Sequence, residues 1–101
     1  INAVLQIVRI HFKIEFDEKS ISYERFLTHL KFFAARVFDN TVYQDSMQEI
    51  YKVLIEQNEY AYSGVRKIVE YIEKQYSYKL TIDERLYLLI HIKRILDEQL
   101  E

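Results

Sequence analysis

Apolar residues recur at intervals close to 3.6 along nearly the whole chain, which is the spacing of one helix face. Five helices follow from that pattern. The first covers about residues 2–14, with Val4, Leu5, Ile7, Val8 and Phe12 as its apolar face, and residues 15–20 form a loop. The second covers about 22–38. Its buried arc is Tyr23, Phe26, Leu27, Leu30, Phe33, Ala34 and Val37. Asp39, Asn40 and Thr41 read as its terminus, because Asp and Asn side chains compete with continued helix for the backbone. The third starts near Asp45, where Ser46-x-x-Glu49 has capping-box spacing, and Ile50, Val53 and Leu54 form its stripe. The fourth covers about 63–76 with Val65, Ile68, Val69 and Ile72 inward; residues 58–64 read as a loop or as kinked helix. Residues 76–79 connect it to the fifth. There Thr81-x-x-Glu84 forms a capping box ahead of an apolar run over 86–96.

Regular helices joined by short loops must bury their stripes against one another. The expected fold is an all-α, compact five-helix bundle in a single domain over residues 1–101. The chain begins with Ile1 rather than Met, so a piece excised from a longer protein is expected.

Chemistry on such a scaffold falls to three histidines, placed here at 100° per residue. His29 lies about 100° from the centre of the second helix's buried arc, at the core edge. Arg25 is one turn before it and Arg36 two turns after it, on the same edge. Their charge favours the neutral, nucleophilic imidazole and supplies bidentate partners for an anion held on it. On the fifth helix the buried arc is centred on Ile82, Leu86, Leu89, Ile92 and Leu96. His91 points almost the opposite way, along the row Glu84, Tyr87, His91, Arg94, Glu98, and is expected to face solvent or a partner. Nothing near His11 marks a site. The plain alternatives are a structural hydrogen-bonding cluster at His29 and a solvated side chain at His91.

Composition narrows the rest. There is no Cys, so disulfides, thiolate metal sites and thiol nucleophiles are absent; this fits a reducing compartment. One Gly and no Pro remove phosphate-cradling loops and nucleophile elbows. No His-x-x-x-His or Glu-x-x-His spacing occurs, and flanking arginines repel a cation, so no metal or other cofactor is expected. A Ser-His-Asp hydrolase lacks its oxyanion loop. The nine tyrosines read as packing with wet hydroxyls. A net charge of −2 argues against direct nucleic-acid binding by this segment. The longest apolar run, residues 86–90, is too short to span a membrane.

Two segments carry a resemblance. Tyr23-Glu24-Arg25-Phe26-Leu27-Thr28-His29-Leu30-Lys31-Phe32-Phe33-Ala34-Ala35-Arg36 resembles the RFxTHLKFFxxR segment of PTS regulation domains in bacterial transcriptional antiterminators of the BglG, SacY and LicT type. Leu80-Thr81-Ile82-Asp83-Glu84-Arg85-Leu86-Tyr87-Leu88-Leu89-Ile90-His91-Ile92-Lys93-Arg94 is similar to that family's LTxDExxYLxxHIxR segment, and the stretch from His11 and Phe12 to Phe16 and Asp17 resembles its approach to the second helix. Such domains occur in tandem, and Thr28-His29 with the Leu-Lys-Phe-Phe run is similar to the second copy, since the first typically has Asp-His. The resemblance implies a cytoplasmic regulatory five-helix bundle that dimerises and is not an enzyme. It implies phosphorylation of its histidines by the sugar phosphotransferase system, with the phosphocarrier HPr and sugar-specific permeases as donors. RNA would be bound only by a separate N-terminal domain. By motif match the phosphorylated positions are His29 and His91; His11 lies outside both motifs. Arg25, Arg36 and Arg94 as phosphate contacts follow from helical spacing. The alternatives are the same domain in a DNA-binding sugar-operon activator, told apart by the full-length N-terminus, or a plain helical dimerisation module with incidental histidines.

Overall fold

A computed structural model describes residues 1–39 and 48–100. Among them the chain forms five α-helices and no strand: α1 (Asn2–Phe12), α2 (Ile21–Asp39), α3 (Gln48–Gln57), α4 (Glu59–Tyr76) and α5 (Ile82–Gln99). The all-α five-helix expectation holds. None of the helices is long and apolar enough to cross a membrane among the described residues. The expected capping box at Ser46 and the terminus at Asn40 and Thr41 lie outside the described residues.

Boundaries differ from the sequence reading where capping decides them. α1 stops at Phe12 rather than near residue 14, because Lys13 turns left-handed (φ 55°) and the Ile14 N–H reaches back to the Arg9 carbonyl at 3.1 Å. α4 begins at Glu59, so most of 58–64 is helix. The break from α3 is confined to Asn58, whose side chain donates to the Leu54 carbonyl at 2.9 Å. α5 starts as read: Thr81 accepts from the Glu84 N–H, and Glu84 accepts from the Thr81 N–H, a complete capping box.

The centre of the bundle is α5, which packs against α2, α3 and α4, while α1 lies on α4. Val8, Phe26, Leu30, Val65, Ile68, Leu86, Leu88, Leu89 and Ile92 are almost wholly buried. Gly64 lets α1 approach α4 closely: a Cβ there would stand 2.6 Å from Cζ of the buried Phe12 ring. On α3 the inward positions are Tyr51, Leu54 and Ile55, whereas Ile50 and Val53 are exposed. That corrects the stripe read from the sequence. α3 is short, and Tyr51 is drawn inward by a hydroxyl–hydroxyl bond to Tyr62 on α4.

Candidate functional site

The site begins with the seam between α2 and α5. His29 meets His91 across it, with ring centroids 4.9 Å apart and planes 33° apart. Arg36, seven residues beyond His29, meets Glu84, seven residues before His91, at 3.0 Å. Contacts that advance on one helix and retreat on the other make the helices antiparallel. Seven residues are two turns, so the histidine rung and the Arg36–Glu84 rung are about 10 Å apart along the seam.

The wheel turned His91 towards solvent or a partner and away from the core; in the fold it packs across the seam against α2, half-buried, with an edge on a cleft. The wheel assumed one buried side. A central helix is covered on several, and α5 also buries Asp83, Glu84, Leu88 and Ile95. Glu84, placed in the outer row by the same wheel, is 1% exposed.

Aromatic rings frame the pair. Tyr87 lies 5.2 Å from His29, and Phe26 stacks 6.2 Å from His91. The rings open into a shallow cleft of about 440 Å³, rimmed by Glu24, Arg25, Thr28 and Phe32. A separate apolar cavity of about 150 Å³, between Val4, Leu30, Val37 and Ile72, is lined by neither histidine.

Burial favours the neutral form of both rings. Burial, then the competing His91 ring and the charge of Arg36, push His29 down to about 4, against an opposing pull from Glu84. Burial, then Arg94 and Arg25, push His91 down as well. Nε2 of His29 and Nδ1 of His91 are shut from solvent without a hydrogen-bond partner. Such orphaned polar atoms are uncommon in structural roles and recur at functional sites. The depressed His29 value has a stability sign. Unfolded, the ring takes its proton near 6.5; folded, only near 4, so the unfolded state binds more protons between those values. The His29 contribution is fully present above pH 6.5 and is lost as pH falls towards 4. Melting temperature followed across that window should drop more steeply for the parent than for His29→Gln; parallel curves would contradict it.

The second rung is built on Glu84. Its carboxylate accepts from the Tyr78 hydroxyl at 2.9 and 3.0 Å, from the Thr81 N–H at 3.0 Å and from Arg36 Nε at 3.0 Å. The Arg36 guanidinium carbon also sits 5.8 Å from the Phe33 ring centroid.

Of the residues singled out in the sequence, the structure brings His29, His91 and Arg25 to one cleft. Arg36 lies one rung away in an ion pair, and Arg94 is exposed. His11 is spent on α4: its Nε2 bonds Ser63 Oγ at 2.8 Å, and that hydroxyl bonds the Tyr60 carbonyl at 2.5 Å. Sequence reasoning saw Glu84 as a cap and as a member of the outer row but missed its buried ion pair, and it missed Tyr87 and Phe26 as the histidines' neighbours. The matching spacings His29-x6-Arg36 and Glu84-x6-His91 were the available signal. Among the described residues no group of three or more His, Asp or Glu could hold a metal.

These features define a small helical domain whose candidate site is a neutral histidine pair bridging its central seam. The chain belongs to the PRD domain family, whose model matches residues 2–95. It is 47% identical over 95 residues to transcription antiterminator LicT of Bacillus subtilis (strain 168), and 37% identical over 95 residues to the beta-glucoside operon antiterminator of Dickeya chrysanthemi. Each match covers 94% of this chain and 34% of the relative, so the chain spans about a third of these proteins' length.

Proposed function

We propose that this is the phosphate-controlled regulatory domain of a cytoplasmic sugar-operon transcription antiterminator. The observation that carries the reading is the pair His29–His91: two neutral rings in contact, opening into a cleft beside Arg25. A neutral ring nitrogen attacks the phosphorus of a phosphohistidine on the carrier HPr. The donor's N–P bond breaks as the new one forms, and the donor ring takes up the proton that the acceptor ring gives up. A sugar-specific permease is the second donor class. The phosphoryl group brings close to two negative charges; its proposed bidentate or charge-assisted partners are Arg25 at the cleft rim, Arg36 one rung away and Arg94. The domain acts as a homodimer whose packing responds to that charge. RNA is reached only through a separate N-terminal domain, and the relatives' printed names as antiterminators support that context.

Reconstitution with phosphoenolpyruvate, its kinase and HPr tests the assignment. Wild type should take up acid-labile, base-stable label. His29→Ala and His91→Ala should each lose part of it and the double variant nearly all. An unlabelled wild type would sink the reading, and full labelling of the double variant would sink the residue assignment.

A further inference from the structure

The seam holds two rungs, the His29–His91 ring contact and the Arg36–Glu84 ion pair. Arg36 is seven residues from His29 on the same face of α2, and helical side chains lean towards the N-terminus, so its guanidinium leans back towards the histidine rung. In the unmodified domain it is bound instead to Glu84 Oε2 at 3.0 Å. Glu84 does not depend on that bond alone, since the Tyr78 hydroxyl, shared between its two oxygens, and the Thr81 N–H also donate to its carboxylate. Arg36 is also the more accessible partner, 21% exposed at the side chain against 1% for Glu84. A carboxylate that keeps most of its partners can release an arginine, and an arginine at the surface of the seam can swing.

We propose that Arg36 is an exchangeable positioning residue: a phosphoryl group on His29 draws it out of its ion pair with Glu84, so that modification at one rung opens the other. The inference rests on phosphorylation at His29 and adds its structural consequence. The incoming dianion outcompetes a monoanion for the same guanidinium. The Arg36–Glu84 rung fastens α2 to the first turn of α5. Its release loosens the seam about two turns from the modified ring, carrying the signal along the bundle without a separate relay.

The exchange sets opposite signs for two substitutions, which a merely structural role would not. Phosphotransfer between HPr and a histidine is reversible, so its equilibrium constant can be read from label distribution, here in a His91→Ala background. Arg36→Gln removes the phosphate partner and should lower that constant roughly tenfold. Glu84→Gln keeps the capping reach and the Tyr78 contact, removes the competitor, and should raise it several-fold. The double variant should behave like Arg36→Gln, because without the arginine there is nothing to release. The Arg36 Nε–H resonance should also move on phosphorylation in the parent. Shifts of the same sign in both single variants, or a raised constant in the double variant, would overturn the exchange while leaving phosphorylation intact. A parent that takes no label at His29 would overturn both, and that result cannot be confused with the others. Folding of each variant is checked by its cooperative melt; should Glu84→Gln not fold, the Arg36 resonance decides alone.

Discussion

Replacing Glu84 by alanine should lower the stability of the domain by about 3–5 kcal/mol, the range for removing one partner of a buried ion pair. The side chain is 1% exposed and accepts from three donors, Arg36 Nε, the Tyr78 hydroxyl and the Thr81 N–H. Its loss leaves the Tyr78 hydroxyl, which is itself buried, without that acceptor, and breaks the reciprocal capping bond at the start of α5. It also cuts the link from the first turn of α5 to α2 and leaves a void where the side chain was. Small domains have roughly 5–15 kcal/mol in total, so this one residue holds a large share. Glu84→Gln should cost less than half as much, because an amide can still cap and still meet Tyr78. Urea titration of the variants checks both values. A loss below 1 kcal/mol for Glu84→Ala would show that the carboxylate merely offsets its own desolvation.

Glu84 also shows what the sequence could convey. Its role as a cap was legible because a capping box is local: the spacing Thr81 to Glu84 and the apolar run behind it suffice. Its burial was not, because burial depends on which helices cover α5. The same limit misplaced His91. A helical wheel ranks faces by their apolar content, and the face with Glu84, Tyr87, His91 and Arg94 is polar. In the fold its polar members meet polar members of α2, His29 and Arg36, so a polar face became an inner seam. His29 was placed correctly at a core edge because its own helix sets that edge: Phe26, Leu30 and Phe33 are buried while Thr28 and Phe32 are exposed. On α3, Ile50 and Val53 matched the helical period yet stay exposed, while Tyr51 is held inward by Tyr62, a contact separated by eleven residues and a helix break. Helix number and α5's start are local properties and were read; α1's end at a left-handed Lys13 has no sequence signature, since glycine is the usual residue there.

Phe32→Glu should convert the proposed dimer into monomers at concentrations where the parent is paired, with a dissociation constant raised roughly 30- to 1,000-fold, as for loss of an interface hot spot worth about 2–4 kcal/mol. Phe32 is 65% exposed, and Ile21, on the same side of α2, is 64% exposed. With Arg25, Thr28, Ala35 and Asp39 they form an outward stripe at alternating intervals of four and three residues, the period with which two helices pack. The stripe borders the histidine cleft, where Arg25, Thr28 and Phe32 form part of the rim. A second copy fits it by charge. Arg25 lies seven residues before Phe32 and Asp39 seven after, so two antiparallel α2 helices crossing at Phe32 would set each arginine against the other's aspartate, as a two-fold interface requires. Fixed negative charge at the centre of that stripe faces its own copy and repels it, while the buried core is untouched, so the variant should melt like the parent monomer. Arg25→Asp should weaken the dimer, and adding Asp39→Arg should restore it, which separates this register from any other crossing. Sedimentation equilibrium reads all four chains. A Phe32→Glu protein that still pairs as the parent does would remove this face from the dimer, and with it the route by which charge gathered at His29 and Arg25 reaches the partner copy.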